Sequence, residues 1–206
     1  MYIKIILVNV AVFVSVLSYS QIDSIALVNE NVAYRAALNK QYADEATSPM
    51  QKKDRKKFTG HNFYEIDIKY CVLASLQRTP TARSFQMKTT SSRSHEYRKY
   101  GILTFVIKGV SLRLSVYQDV PNHPDDPVSS HLFLPFKDKT NGGETYGGGR
   151  YLDLEIPEGD TMVLDFNQAY NPYCHYNVEY SCPLVPRENN LAFRIEAGVK
   201  KYNVLK

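Results

Sequence analysis

The 206-residue sequence lacks tryptophan altogether and contains only three cysteines. Without tryptophan, the largest stacking ring is missing, so carbohydrate is only a weak candidate ligand. Three cysteines are too few for a disulfide-dense scaffold, and their spacing lacks the paired Cys-x₂₋₄-Cys pattern of structural zinc sites. The net charge of +4 is too small to indicate a nucleic-acid-binding protein. What remains, 44% hydrophobic and 22% charged residues, predicts a globular protein with one main domain.

The first 20 residues, MYIKIILVNVAVFVSVLSYS, have the pattern of a secretory signal peptide. One cation, Lys4, precedes an apolar run, and Ser18 and Ser20 stand at the −3 and −1 positions of a cleavage site. The apolar run is shorter than a membrane-spanning helix, so we expect no stable membrane span after cleavage. The sequence therefore predicts an exported protein, either periplasmic or extracellular.

Residues 21–57 are predicted to form an N-terminal amphipathic helix and a basic connector. Between residues 22 and 46, small and apolar residues such as Ile25, Ala33 and Ala37 recur at steps of three or four. Ser48-Pro49 ends this pattern, and five Lys and Arg residues follow between 52 and 57. We interpret the basic run as a solvated connector, although such a run can also bind an anionic surface.

Residues 58–206 are typical of a single β-rich domain. Apolar and polar residues alternate in about eight short runs without intervening helices, and Gly109 between two runs indicates a hairpin. Runs of this length and spacing favour an antiparallel β-sandwich or barrel. We predict strands at residues 66–74, 85–88, 100–108, 110–117, 131–136, 151–156, 162–166 and 191–197.

Five of the ten glycines lie between Gly142 and Gly149, directly before Arg150. Backbone N–H groups freed by glycine can bind an anion, and an arginine offers a planar fork for a carboxylate or phosphate. The segment matches neither a Walker loop nor a dinucleotide fingerprint. The alternative is a tight β-connection in which Arg150 is structural.

A second segment, between Asp165 and Asn177, is rich in tyrosine and asparagine. Loops of this composition are typical of pocket walls, although the rings can equally fill a β core. Together the two segments predict a set of ligand-binding residues, namely Asn141, Glu144, Tyr146, Arg150, Asp165, Asn167, Tyr170, Asn171 and Tyr173.

Cys174 and Cys182 leave three interpretations open. An eight-residue separation across a turn permits a disulfide in an exported protein. The two residues can instead be free structural thiols, or can take part in metal binding or nucleophilic catalysis. In the disulfide interpretation, Cys71 is an unpaired thiol in a strand.

Three strings in the C-terminal half form a distinctive pattern, namely TYGGGRYLD at 145–153, LDFNQAYNPYC at 164–174 and IEAG at 195–198. This pattern resembles the bacterial domain-of-unknown-function family numbered 1684, and the resemblance covers at least residues 58–202. His175 and Val199 depart from the family pattern, which has a small residue and a glutamate there. The resemblance implies little about activity, because the family is itself uncharacterised.

Two classes of function remain open at this point. The first is an exported binding or structural module whose loops form a pocket for a small polar or anionic ligand, with Arg150 anchoring charge. The second is a hydrolase that uses Glu144 and Asp165 as a carboxylate pair, or Cys174 as a nucleophile. We rank binding above catalysis because no base and nucleophile stand in a known arrangement. The sequence indicates no cofactor, no metal and no nucleic-acid partner.

Overall fold

A computed structural model of the protein describes residues 24–121 and 129–202. The predicted signal peptide lies outside these residues. A long helix, α1 (Ser24–Ala43), is followed by a short helix, α2 (Lys52–Arg55), and then by an antiparallel sheet. The predicted N-terminal helix and the mainly β class are therefore confirmed.

The described strands form one curved, seven-stranded sheet. The strand order is β6-β5-β4-β3-β1-β7, and β2 pairs with β3 beside this path. At one end of this order, Tyr151 of β6 exchanges two backbone hydrogen bonds with Tyr170, in the segment after β7, at 2.9 and 3.0 Å. The sheet is a half-barrel, and the sandwich and the eighth strand expected from the sequence are not confirmed. Its strands are β1 (Cys71–Arg78), β2 (Ser84–Lys88), β3 (Ser94–Ile107), β4 (Val110–Asp119), β5 (His131–Phe136), β6 (Arg150–Glu155) and β7 (Thr161–Asp165).

Two of the predicted strand segments differ in the structure. Residues 191–197 do not form a strand but an irregular segment whose alternate side chains join the core. Its backbone makes single hydrogen bonds, such as Lys139 N–H to the carbonyl of Phe193 at 2.9 Å. The start of the first predicted strand is a 3-10 turn at Ile68–Tyr70. Alternation of apolar residues shows which side chains are buried, and an irregular segment that lies on a sheet buries alternate residues as well.

The predicted hairpin is formed by β3 and β4. Lys108 and Gly109 both have positive φ, 49° and 79°, as a two-residue turn of the primed type requires. Alternate side chains of both strands enter the core, and Leu103, Ile107 and Val116 have no exposed surface.

Asn189, in the C-terminal segment, bonds backbone groups of β4 and β5 where these two strands are poorly paired. Among the described residues, β4 and β5 are joined by a single residue pair, Tyr117 with Phe133. The buried amide of Asn189 accepts a hydrogen bond from Ser115 N–H at 2.8 Å. It donates to the carbonyls of Ser115 and Pro135, both at 2.7 Å. One side chain therefore satisfies backbone groups that a strand ladder would otherwise satisfy.

Helix α1 packs with a different face from the one its alanines suggest. Ile25 is 72% exposed, whereas Leu27 and Tyr42 are buried. Asn31 is fully buried, since its amide donates to Leu27 O at 3.0 Å and to Asp165 Oδ2 at 2.6 Å. Counting only apolar residues selected the wrong face, because a hydrogen-bonded polar residue lies at its centre.

Candidate functional site

A cavity of about 580 Å³ lies between α1 and the sheet edge formed by β6. Seven of its fifteen lining residues are tyrosines, and we call it the tyrosine pocket. Helix α1 contributes Tyr34, Leu38, Gln41 and Tyr42, and the strands contribute Tyr97, Phe133, Tyr151 and Asp153. The loops after β7 contribute Tyr170, Pro172, Tyr173, Tyr180, Ser181, Cys182 and Pro183.

The strand wall of the pocket follows from the pleat of the sheet. Tyr151 and Asp153 are two residues apart on β6, so they point to the same face. Phe133 lies opposite Asp153 on β5 and packs edge to face against Tyr151, with 4.7 Å between ring centroids. Tyr97 extends the wall, with its ring 5.6 Å from Phe133. Because each ring packs against the next, this wall of the pocket is preformed.

Hydrogen bonds fix the polar groups of the pocket. The Tyr170 hydroxyl donates to Asp153 Oδ2 at 2.7 Å. Gln41 Nε2 donates to the Tyr173 hydroxyl at 3.0 Å, which ties the helix to the loop. Burial raises the pKa of Asp153, and the hydrogen bond from Tyr170 opposes that effect. Asp153 is therefore an oriented hydrogen-bond acceptor beside the rings.

The electrostatics of the pocket disfavour anions. None of its fifteen lining residues is a lysine or arginine, and Asp153 contributes a carboxylate. Burial raises the pKa of Tyr97 to about 12, so its phenol stays neutral at physiological pH. The five cation–π contacts found among the described residues all use rings outside the pocket, those of Phe63, Tyr64, Tyr70, Tyr100 and Phe136. The pocket rings are therefore free of the cations placed in these contacts.

A pair of thiols adjoins the pocket. Cys182 lies on the pocket wall, and the backbone N–H of Cys174 points at its sulfur, with 3.1 Å from N to Sγ. Both cysteines are free thiols in the structure, as is Cys71. Cys71 is buried in β1, and burial raises its pKa to about 12. The structure thus brings Cys174 and Cys182 together and leaves Cys71 apart.

Arg150 lies in the scaffold and not at a solvent-facing site. Its side chain has no exposed surface, and its guanidinium donates to Asp138 Oδ2 and to the carbonyl of Ile195, both at 2.8 Å. It also donates to the carbonyl of Ala197. The guanidinium therefore clamps the glycine-rich segment to the C-terminal segment, as in the structural alternative considered for it.

The candidate asparagines also hold loops together. Asn141 donates to the carbonyl of Tyr146 at 3.0 Å. Asn167 bridges to the backbone of Asp67, donating to its carbonyl at 3.0 Å and accepting from its N–H at 3.1 Å. Asn171 donates to the carbonyl of Lys200, again at 3.0 Å. Their amide nitrogens all donate to backbone carbonyls, so their role is to shape the loops.

The two candidate carboxylates belong to separate networks. Glu144 is exposed and pairs with Arg194, whose hydrogen bond lowers the pKa of Glu144. Asp165 accepts hydrogen bonds from Asn31 at 2.6 Å and from Asn167 N–H at 2.9 Å. Among the residues that the structure describes, no hydrogen bond links Glu144 to Asp165.

The histidine next to Cys174 in the sequence, His175, makes its contacts with other residues. The Nε2 atom of neighbouring His175 accepts a hydrogen bond from the N–H of Tyr202 at 3.0 Å. Burial lowers the pKa of His175 to about 4. Its ring packs against that of Tyr146, with 4.3 Å between centroids. These contacts give His175 and Tyr146 a packing role.

Of the nine candidate ligand-binding residues, Tyr170 and Tyr173 line the tyrosine pocket, and the other seven lie outside it. Sequence reasoning missed Asp153 and Tyr34, among others. A signal was present: Tyr34, Leu38 and Gln41 are spaced by four and three residues on α1, and Tyr151 and Asp153 alternate on β6. What was missing is that these two faces meet.

Two further findings concern the described residues, 24–121 and 129–202. Within them, no group of three or more His, Cys, Asp and Glu side chains is placed to hold a metal ion. None of the helices among them is both long and apolar enough to cross a membrane.

Comparison with known proteins places the chain in a family. Residues 56–200 match the family model of DUF1684, described as a protein of unknown function. A solution NMR structure of an uncharacterised protein from Haloarcula marismortui is similar, with 32% sequence identity and a TM-score of 0.67, covering 86% of this chain and 96% of that one. None of the curated proteins searched matches the chain. The family match spans most of the sequence, and the chain therefore belongs to the DUF1684 family, as the strings between residues 145 and 198 predicted.

Proposed function

We propose that the protein is a binding module that holds a small, positively charged polar ligand in the tyrosine pocket. The observation that carries this proposal is the pocket itself, about 580 Å³ of space walled by seven tyrosines and one carboxylate. Small-molecule sites are concave, mostly aromatic or apolar, and contain a few fixed polar groups. The pocket has each of these properties.

The charge of the ligand follows from the lining. Faces of aromatic rings carry partial negative charge and attract cations, with about 0.5–2 kcal/mol gained per favourable contact. Asp153 adds a carboxylate that the Tyr170 hydroxyl holds in position. A compact organic ammonium ion satisfies both features. An anionic ligand, which the sequence also suggested, would face Asp153 without a lysine or arginine in the lining.

The N-terminal segment supports a place of action outside the cytoplasm. Its single cation, apolar run and small residues before position 21 are those of a cleaved signal. The pocket is built from residues 34–183, so the mature chain would retain every lining residue.

Three matched probes test the proposal by calorimetric titration. Choline, 3,3-dimethylbutan-1-ol and 3,3-dimethylbutanoate share a compact trimethyl head and differ in charge. We expect choline to bind in the millimolar range or tighter, the neutral alcohol about tenfold more weakly, and the carboxylate not at all. Absence of binding by all three, or tightest binding by the carboxylate, would contradict the proposal.

A pair of variants on β6 provides the control. Asp153→Asn keeps the shape of the side chain and removes its charge, and should abolish the preference for choline over the alcohol. Glu155→Gln removes a charge on the same strand outside the pocket lining, and should leave the preference intact. If both variants lose the preference equally, the effect comes from general charge and not from the pocket.

A further inference from the structure

The thiols of Cys174 and Cys182 form a contact that the binding function does not use. Cys174 lies in the 3-10 turn Tyr173–His175, and Cys182 follows eight residues later. The Cys174 N–H donates to Cys182 Sγ at 3.1 Å. The Cys182 sulfur therefore lies against the backbone of Cys174.

The position of Cys182 is fixed by the end of β2 and the turn that follows it. Thr90 N–H donates to the Cys182 carbonyl at 2.9 Å, and Cys182 N–H donates to Thr90 Oγ1 at 3.1 Å. Two residues further on, Leu184 N–H donates to the carbonyl of Lys88 at 2.7 Å. Cys182 is thus held in place while Cys174 sits on the adjoining turn.

The two thiols differ in access. Cys174 is partly exposed, whereas Cys182 is 7% exposed. Cys174 therefore presents more surface to a small oxidant than Cys182 does.

Hydrogen bonds also shift the pKa values of the two thiols in opposite directions. The bond donated by the Cys182 thiol lowers the pKa of Cys174 to about 7, against the effect of burial, and the Tyr146 hydroxyl assists. Donating that bond raises the pKa of Cys182 far above its ordinary value. Burial raises the pKa of Tyr146 to about 12, so this hydroxyl keeps its proton. Cys174 is thus the more acidic of the two thiols.

We propose that Cys174 and Cys182 are a hydroperoxide-reactive dithiol site, with Cys174 as the attacking residue and Cys182 as the resolving residue. The Cys174 thiolate attacks the terminal oxygen of a hydroperoxide, and the O–O bond breaks. Cys174 becomes a sulfenic acid, and the departing alkoxide or hydroxide takes a proton from water. The proposal does not depend on ligand binding in the tyrosine pocket.

The second step uses the neighbouring thiol. Cys182 Sγ attacks Cys174 Sγ, the S–O bond breaks, and the departing hydroxide leaves with the Cys182 proton as water. Two thiols and one hydroperoxide thereby give one disulfide, one alcohol or water, and one further water. The two electrons that reduce the peroxide come from the two sulfur atoms.

The first test counts thiols in the reduced, purified protein after one equivalent of hydrogen peroxide. We expect two of the three thiols to disappear, and the intact mass to fall by two hydrogens. The rate at pH 7 should exceed that of free cysteine by about tenfold, because a larger fraction of Cys174 is thiolate. Three surviving thiols, or a rate equal to that of free cysteine, would overturn the proposal.

Three single variants assign the roles. Cys174→Ser should lose the fast reaction, and Cys182→Ser should stop at a sulfenic acid that dimedone traps. Cys71→Ser is the matched control and should form the disulfide as the unmodified chain does. A fast reaction in Cys174→Ser, or a disulfide that contains Cys71, would contradict the assignment. Thermal unfolding of each variant confirms that it is folded before its rate is compared.

Discussion

Two groups of aromatic rings meet at helix α1, and they differ in what lies between the rings. In the first, which we call the ring cluster, Tyr42, Phe58, His61, Tyr176 and Tyr202 pack directly against one another. Tyr42 lies 4.4 Å from His61 and 4.8 Å from Tyr176, centroid to centroid. In the tyrosine pocket, rings of the same type surround about 580 Å³ of open space.

The difference shows that tyrosine content alone does not indicate function. Tyr42 is 1% exposed and lies at the border of both groups, whereas Tyr180 on the far wall of the pocket is 38% exposed. Side chains of one chemistry stabilise the fold where the backbone brings them together, and form a binding wall where the sheet edge keeps them apart.

Arg150→Ala should have the largest effect, because Arg150 joins the strand of the pocket to the segment that leads into the ring cluster. Its removal leaves the buried carboxylate of Asp138 unpaired, and should lower the free energy of unfolding by about 3–5 kcal/mol. Urea unfolding measures this change. Arg194→Ala breaks an exposed pair with Glu144 and should change stability little. Equal losses in both variants would mean that burial of Arg150 is unimportant.

Tyr176→Ala and Tyr180→Ala separate the ring cluster from the pocket. Tyr176 is buried, and its truncation should lower the free energy of unfolding by about 3 kcal/mol. Tyr180 is partly exposed, and its truncation should change stability by less than about 0.5 kcal/mol while weakening choline binding. Thermal unfolding and calorimetry distinguish the two. Weaker choline binding in Tyr176→Ala alone would reverse the roles given to the two groups.

The ring cluster should also make stability depend on pH. Burial lowers the pKa of His61 from 6.5 to about 4, so the unfolded chain binds a proton at a pH where the folded protein does not. The free energy of unfolding should therefore be constant above about pH 7 and fall by about 2 kcal/mol between pH 7 and pH 5 for this histidine.

Substitution of His61 checks the origin of that slope. His175 has its pKa lowered to about 4 as well, and contributes in the same direction. His61→Gln should therefore reduce the slope to about half. Unfolding in urea at pH 7, 6 and 5 provides the measurement. An unchanged slope in His61→Gln would show that other groups cause the acid sensitivity.

Much of the fold was predictable from local pattern. Helix α1, the β3–β4 hairpin and most strands follow from residue spacing that the structure preserves. Residues 191–197 alternate like a strand, but their backbone makes single hydrogen bonds to Lys137 and Lys139, beyond the end of β5. Alternating apolar residues indicate that alternate side chains are buried. Both a strand and an irregular segment that covers the core can bury side chains in this way.

The candidate site was less predictable, because it depends on partners far apart in sequence. From the sequence, Arg150 is a candidate for binding an anion. In the fold, its guanidinium donates instead to Asp138 and to the carbonyl of Ile195. In the sequence, Asp153 is an ordinary polar residue of a strand. Only the packing of α1 opposite it makes it part of a pocket. Local sequence indicates which residues can bind a ligand, and tertiary contacts decide which of them are left free to do so.

The amide of Asn189 has a consequence for the order of folding. It satisfies backbone groups of residues 74 and 54 positions earlier in the chain, on β4 and β5. All seven strands are synthesised before this residue. Until Asn189 is in place, the backbone groups that it bonds on β4 and β5 lack this partner. Contacts so distant in sequence slow folding, and an open seam exposes strand edges to pairing with other chains. We therefore expect the sheet to close only after synthesis has passed residue 189, and chains truncated before it to aggregate.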